Sequence, residues 1–405
     1  MKQRNIKIGI TVAIVAILSL WVKSRWHAWF VSLPETEYTT ASKPDRITLL
    51  PGEDFATERI ISWRTGTEPR NAYVWLASES NTVTVSATST VVENTVGRDA
   101  FYRAKLSGLQ PGESYSYKVV VEGCEPSESY EFQMPDGENL QKIIYIGDVQ
   151  DTIGGIAGDI MRGIRANHPD AQAVIFGGDL IEGPIDKFWS YSFTAIDTLA
   201  HEIPIIAVAG NHEYRKSLVP YLDHRWKHTF AYDDNGASGV DASYFIQAPN
   251  ALIVVLDSQI FMRGYTILSQ YNWLKDVVEN YGDSRHKILV LHHPPYSVKP
   301  KRNNVVEKKL FAPLADKLGF DAVLAGHEHG YYRRLGLPAG APLYIVSHCS
   351  PKGYPAVESD SSQLVIPNRR MYQVLEFDGD SISTFGMRYR AYDAITHQLL
   401  DEYQN

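Results

Sequence analysis

Cysteine is nearly absent: the 405 residues hold only Cys124 and Cys349, more than 200 positions apart and in no Cys-x-x-Cys pair. A disulfide scaffold and a thiolate zinc site are thereby excluded, and one bridge or two free thiols remain. Positive charge is also short. Lys and Arg number 39 against 47 Asp and Glu, for a net charge of −8. Without clustered cations to displace counterions, nucleic acid is not expected as a structural partner. Long apolar runs are missing except at the N-terminus, and with 44% hydrophobic and 21% charged residues neither a multi-span membrane protein nor wholesale disorder fits. No internal repeat, low-complexity tract or heptad pattern occurs, so nothing in the chain points to an assembly. Length is plentiful: at roughly 100–200 residues per domain, the chain holds about two to three units.

The one long apolar run, Ile8 to Val22, carries no charge and lies between Lys2, Arg4 and Lys7 on one side and Lys23 and Arg25 on the other. Its length falls between a signal-peptide core and a spanning helix. No small-x-small cleavage site follows, and Trp21, Trp26, Trp29 and Phe30 look like an interfacial aromatic belt. Residues 1–34 are expected to form a hydrophobic helix that anchors an exported chain in the membrane, with a cleaved signal and secretion as the alternative. The polar stretch Pro34 to Asp45 reads as an extended linker.

From 43 to 135, short alternating runs recur between turn residues: RITL, RIISWR, AYVWLA, TVTVSA, FYRAKL, SYSYKVVV and YEFQ. Seven such runs imply an all-β sandwich. Trp63 sits on an early strand as a core aromatic would, and Leu109 to Tyr115 has the form L-x-P-G-x-x-Y. The segment resembles a fibronectin type III domain, in which Tyr115 would be the corner tyrosine, bonding back to the preceding turn. Packing beside a catalytic domain is its expected role.

After Met134-Pro135-Asp136-Gly137 the pattern changes to apolar strands with polar tips and helical segments, the logic of an α/β fold. KIIYIGD ends in Asp148 and AVIFGGD in Asp179. PIIAVAGNHE delivers Asn211, His212 and Glu213, KILVLHHPPY delivers His292 and His293, and AVLAGHEHGYY delivers His327 and His329. Each alone has an ordinary explanation as a cap or a core polar group. Together, in order and each at a strand exit, they point to a dinuclear metal centre. Two cations about 3.5–4 Å apart clamp the attacking and leaving oxygens of phosphoryl transfer, and need a carboxylate shared between them. Mixed oxygen and imidazole donors suit Mn, Fe, Zn or Co.

These five motifs resemble those of the calcineurin-like metallophosphoesterase superfamily. With the β module in front and the opening PDRITLLPGEDFATERIISWRT, the exported part resembles its purple acid phosphatase branch. The resemblance implies a four-layer α/β/β/α sandwich over residues 141–395. It places Asp148, Asp179 and His329 on a first metal and Asp179, Asn211, His292 and His327 on a second, with Asp179 bridging. The ions implied are two divalent or mixed-valence transition metals, Fe, Mn or Zn, and the partner is a phosphate-ester substrate. A hydroxide held between the metals would attack phosphorus, His212 would bind a phosphate oxygen or protonate the leaving group, and Glu213 would orient His212. His292 is preferred to His293 as ligand because H-x-P-x-Y fits from it, leaving His293 to line the pocket.

Two departures stand out. Purple acid phosphatases carry a tyrosine three residues after the bridging aspartate, where this chain has Glu182, so no purple chromophore is expected. Gln150 stands two residues after Asp148, where many superfamily members place a histidine ligand; its amide reads as a weak ligand or a hydrogen-bond partner behind the metals. Tyr214, Tyr331 and Tyr332 lie near the motifs as remote candidates for the missing phenolate. Lys299, Lys301, Arg302, Arg333, Arg334 and Lys352 read first as solvated loop charges, some of which could draw anions. Residues 343–355, LYIVSHCSPKGYP, could close the pocket, and Met371 to Ala391 reads as finishing strands of the second sheet. Hydrolysis of phosphomonoesters is the expected activity. Phosphodiesters such as cyclic nucleotides or lipid headgroups are the alternative, and a non-catalytic adhesion or scaffold protein is the third reading.

Overall fold

The computed structural model describes residues 2–135, 139–299, 302–336, 341–355, 363–377 and 386–404, and within the N-terminal helix the side chains of 11, 12, 14–27, 29 and 30. That helix, α1 (Lys2–Phe30), leaves Val12, Ile14, Ile17, Leu18 and Leu20 exposed. Among the described residues no helix is long and apolar enough to cross a membrane, so the expected spanning anchor is not found there. The side chains of residues 2–10, which carry the start of the apolar run, lie outside the described set, as do Asp136, Gly137 and Lys301.

Alternating runs become strands because each second side chain can enter a shared core. They follow as β1 (Asp45–Pro51), β2 (Arg59–Arg64), β3 (Ala72–Ala77), β4 (Thr82–Ser86), β5 (Thr88–Glu93), β6 (Arg98–Leu106), β7 (Ser114–Val121) and β8 (Tyr130–Gln133). They pair antiparallel in two four-stranded sheets, β1-β2-β6-β5 and β4-β3-β7-β8. One strand more than expected arises because the chain changes sheets at Ala87: β4 pairs with β3, while β5 pairs with β6. Trp63 is buried and stacks on Tyr102, with centroids 5.4 Å apart. The Tyr115 hydroxyl accepts from the Gln110 N–H at 3.0 Å, back into the preceding turn as expected, and donates to Glu113 at 2.7 Å.

The linker is not a free tether. The Glu35 side chain is fully buried and accepts from Arg215 and Arg225, both at 2.8 Å, and from the Asp186 N–H at 2.6 Å. Tyr38 donates to Asp99 of β6 at 2.7 Å, and Arg64 bridges Asp45 and Asp186 at 2.6 and 2.7 Å. These contacts fasten residues 35–45 across both domains, because buried charges persist only where they are paired.

The second domain runs β9 (Lys142–Ile146), α2 (Ala157–Asn167), β10 (Ala173–Phe176), α3 (Asp186–Glu202), β11 (Ile205–Ala207), β12 (Tyr214–Arg215), β13 (Tyr221–Leu222), α4 (His224–Thr229), β14 (Tyr244–Ala248), β15 (Ala251–Leu256), α5 (Gly264–Tyr281) and β16 (His286–Leu291). It continues as α6 (Ala312–Lys317), β17 (Ala322–Ala325), β18 (Tyr331–Arg334), β19 (Leu343–Val346), β20 (Gln363–Ile366), β21 (Met371–Phe377), β22 (Met387–Asp393) and β23 (Leu399–Gln404). Two sheets form, ordered β11-β10-β9-β21-β22-β23 and β14-β15-β16-β17-β19-β18-β20. Strands β9, β10 and β11 run parallel, as do β15, β16, β17 and β19.

The layers are legible in β15 and β16. Ile253, Val255, Ile288 and Val290 join the core shared with the first sheet, whereas Leu252, Val254, Leu256, Leu289 and Leu291 pack outward with Leu274 and Val277 of α5. Ile160, Met161 and Ile164 of α2 and Trp189, Phe193 and Ile196 of α3 cover the first sheet. The result is the expected α/β/β/α sandwich, whose strands are apolar throughout because both faces are covered. One expectation fails: β21 and β22 return to the first sheet, with β21 antiparallel to β9, rather than finishing the second. Residues 378–385 between them lie outside the described set. Cys124 and Cys349 are both free thiols.

Candidate metal centre

The carboxyl ends of the parallel strands converge on one place, as in other open α/β sheets. Six described non-glycine residues have positive φ, and three of them are expected ligands: Asp148 at 37°, Asp179 at 50° and His327 at 67°. Such backbone costs roughly 1–3 kcal/mol per residue and persists only where its surroundings enforce it. Here the enforcement is local: Asp148 Oδ1 accepts from the His327 N–H at 2.7 Å, and Asp179 Oδ1 accepts from the His212 N–H at 2.8 Å. The motif glycines make this approach possible, since a Cβ on Gly210 would collide with Asp179 and one on Gly326 with Asp148.

One half of the centre forms around His292, which is fully buried. Its Nδ1 donates to the Gly177 carbonyl oxygen at 2.9 Å, so Nε2 bears the lone pair. That lone pair faces two further acceptors, Asp179 Oδ2 and Asn211 Oδ1, each at 3.3 Å, and His327 Nδ1 lies 3.3 Å away. Ligand atoms of Asp179, His292 and His327 all fall within 4.8 Å of one another. Facing lone pairs repel unless positive charge lies between them. Burial opposes charge on His292, yet Asp179 and Asp148 outweigh it and raise the imidazole to about 10, so a proton takes the part of a cation.

The other half repeats the logic. His329 Nδ1 donates to the Lys352 carbonyl oxygen at 3.2 Å, which turns the Nε2 lone pair onto Asp148 Oδ2, also at 3.2 Å. That oxygen is buried and has no hydrogen-bond donor. The six expected ligands are thus brought together, and their donor set fits two cations. The stretch 343–355 finds its use here: besides Lys352, the Tyr354 N–H donates to the His329 carbonyl at 2.8 Å, and the Tyr354 ring lies 4.7 Å from the imidazole.

His212 lies beside the cluster, its Nε2 3.9 Å from Asp179 Oδ2. Burial works against its protonation, but the Asp179 carboxylate and the Glu182 carbonyl outweigh that and hold the imidazole above its ordinary range. The expected orienting role of Glu213 is not what forms. His212 Nδ1 donates to the Glu182 carbonyl oxygen at 2.6 Å, while Glu213 accepts from the N–H groups of Asp179, Leu180, Ile181 and Gly210 at 3.0, 2.8, 3.2 and 2.7 Å. A carboxylate is the one side chain with enough lone pairs for four converging donors. Glu213 therefore shapes two ligand loops at once.

Glu328 does the same in the last motif, accepting from the Val298 N–H at 2.6 Å, the Lys299 N–H at 3.2 Å and the Ser297 hydroxyl at 2.8 Å. Sequence reasoning missed both roles, although the shared form G-[NH]-[HE] with a glutamate inside each metal motif was there to be read. His293 lines the site as expected, with its ring 4.2 Å from that of His327 and its Nδ1 2.9 Å from Ser258 Oγ. The tyrosine candidates are engaged elsewhere: Tyr214 donates to Asp257 and Tyr331 to Asp401. Glu182 pairs through its side chain with Lys352 at 2.8 Å, and Arg302 lies against His327 Nε2.

Residues 141–331 match the calcineurin-like phosphoesterase family and residues 44–134 match the purple acid phosphatase N-terminal domain. The chain carries a calcineurin-like phosphoesterase domain behind a purple acid phosphatase N-terminal domain. A purple acid phosphatase from yellow lupin (Lupinus luteus) seeds shares its fold, with a TM-score of 0.70 at 14% identity over 90% of this chain and 74% of that one. Two uncharacterised proteins of Mycobacterium tuberculosis are 26% identical over 325 residues, covering 70% of this chain and 60% of theirs. A probable inactive purple acid phosphatase of Arabidopsis thaliana is 24% identical over 208 residues, 43% of this chain and 32% of that protein. The chain thus spans less than two thirds of the curated relatives it matches. A fold of this kind implies a dinuclear metal centre, in agreement with the donor set.

Proposed function

We propose that this phosphoesterase hydrolyses phosphomonoesters at a pair of divalent or mixed-valence transition-metal ions. The observation that carries the reading is the meeting of His292 Nε2 with Asp179 Oδ2 and Asn211 Oδ1, acceptor against acceptor at 3.3 Å, in a buried pocket. Such an arrangement needs positive charge between its acceptors, which a proton on His292 supplies and which metal ions would supply in its place. Asp148, Asp179 and His329 would hold one ion, and Asp179, Asn211, His292 and His327 the other. When bound, such a pair polarises the phosphoryl oxygens and lowers the pKa of water. His212, fixed through Nδ1 on the Glu182 carbonyl, presents Nε2 to the substrate side and holds a proton there for the leaving oxygen. Glu213 and Glu328 keep the ligand loops in register.

Glu182 in place of a tyrosine supports a second reading, in which both ions are divalent and the substrate is a phosphodiester. The scaffold reading has least support, because the ligand set is complete and its strained backbone is maintained. The exposed apolar side chains of α1, Ile14, Ile17, Leu18 and Leu20 among them, support attachment to a membrane, with the catalytic domain on the exported side. The deciding experiment chelates the full chain, restores Mn, Fe or Zn separately, counts bound metal and compares an aryl phosphomonoester with an aryl phosphodiester. Monoester turnover at two ions per chain is expected. Diester preference promotes the second reading, and two bound ions without turnover of either compound removes both.

A further inference from the structure

The hydrogen bond from His212 Nδ1 to the Glu182 carbonyl joins two separate stretches of chain, so its direction is only as firm as the hold on both. Residues 179–181 are secured by Glu213, which takes the N–H groups of Asp179, Leu180 and Ile181. The stretch that follows, 182–186, is held by other means. Leu33 packs over Gly183, where an added Cβ would come within 3.0 Å of its Cδ1. The Pro184 carbonyl accepts from Arg225 Nη2 at 2.9 Å, and the same nitrogen donates to Glu35 Oε2 at 2.8 Å. The Asp186 N–H donates to Glu35 Oε1 at 2.6 Å.

The other stretch meets the same carboxylate. Arg215, three residues after His212, donates to Glu35 Oε2 at 2.8 Å. One buried side chain thus binds the segment that carries the imidazole to the segment whose carbonyl aims it, although Glu35 precedes both domains in the chain. A carboxylate suits the place because it accepts from a backbone N–H and two guanidinium groups at once, and such charge-assisted bonds are the strong ones. Asp223 already pairs with Arg215 and Arg225, at 2.9 and 2.8 Å, so what Glu35 adds is less a balance of charge than a tie between the two stretches.

We infer that Glu35 is a positioning residue for His212, acting through residues 182–186 and through Arg215. The inference rests on the reading of His212 as the group that serves the leaving oxygen, and the behaviour of the unmodified chain separates failure of that reading from failure of this one.

The test uses the full chain loaded with Mn or Zn, as Glu35→Ala, Glu35→Gln and Leu33→Ala, with Leu76→Ala in the core of the β sandwich as a control for lost stability alone. Turnover of aryl phosphate esters is measured across leaving groups from nitrophenol to phenol, bound metal is counted, and hydrogen exchange is followed at Asp186. Glu35→Ala is expected to keep both ions, because Glu213 holds the Asp179 loop, and to exchange faster at Asp186. Its kcat falls about tenfold for the phenyl ester, whereas the nitrophenyl ester stays within about threefold and KM barely moves. Glu35→Gln, which keeps an acceptor for the Asp186 N–H, recovers most of that loss, and Leu33→Ala, the milder change, steepens the leaving-group dependence in the same sense. Where Glu35→Ala does not fold, the leaving-group dependence of Leu33→Ala decides alone. A dependence that matches the parent, or that Leu76→Ala reproduces, overturns the assignment, as does loss of a metal ion from Glu35→Ala. An unmodified chain that turns over none of these esters overturns the role of His212 and this assignment with it.

Discussion

Glu328 stands between two proposed ligands, His327 and His329, and its side chain is fully buried. Its Oε2 takes the N–H groups of Val298 and Lys299, Ser297 Oγ lies 2.8 Å from each oxygen, and Arg302 Nε is 3.4 Å from Oε1. Replacement by glutamine can keep nearly all of this. The amide oxygen takes both N–H groups, and the amide NH2 donates to Ser297 Oγ, which can accept. What is lost is attraction to a partly exposed arginine, worth about 1 kcal/mol or less. Alanine leaves the buried Val298 N–H without an acceptor, at about 1–3 kcal/mol, while the Lys299 N–H keeps Ser297 Oγ at 3.0 Å. Guanidinium unfolding of the metal-free full chain, with hydrogen exchange of the segment 293–299, measures the pair. Glu328→Gln is expected to stay close to the parent, whereas Glu328→Ala loses protection at Val298 and weakens metal binding through the freed turn. Equal losses in the two variants, within about 0.5 kcal/mol, would refute the role of Glu328 as an acceptor that shapes the turn.

Other consequences are equally open to measurement. His212→Ala should keep both ions and lose about 10²–10⁴ in turnover, most steeply for substrates with poor leaving groups; loss of metal instead would mean that His212 is a ligand. Asp257 is buried, which raises its carboxyl to about 6 even though Tyr214 and the Gln259 N–H favour the charged form. The folded state therefore holds this proton more tightly than the unfolded chain, and the stability gained is complete below pH 4 and lost as pH rises through 6, about 3 kcal/mol in all. Denaturant midpoints at pH 4.5 and 7.5 should differ less in Asp257→Asn than in the parent, and identical pH profiles would sink the idea. Glu35→Ala leaves Arg215 and Arg225 short of a buried partner, at about 3–5 kcal/mol. Faster proteolysis between residues 34 and 45 checks it, and an unchanged cleavage rate would show the strap to be dispensable.

The sequence by itself determined the fold class and the ligand types. Apolar runs with no polar alternation could only be strands covered on both faces, and a chain that ends five such runs in Asp, Asn or His places those groups at the carboxyl ends of parallel strands, here of two facing sheets. Trp63 and Tyr115 were legible for a similar reason, since their roles depend on local pattern. Contacts between distant segments were not. That β21 returns to β9, that Glu35 is a buried keystone and that Glu213 serves backbone rather than His212 depend on which surfaces meet after folding. A side chain's partner across tens or hundreds of residues is fixed by the packing of layers, which no local period encodes. The tertiary structure alone decided which polar atoms face one another, because the Gly177 and Lys352 carbonyls select the imidazole nitrogens turned toward Asp179 and Asp148.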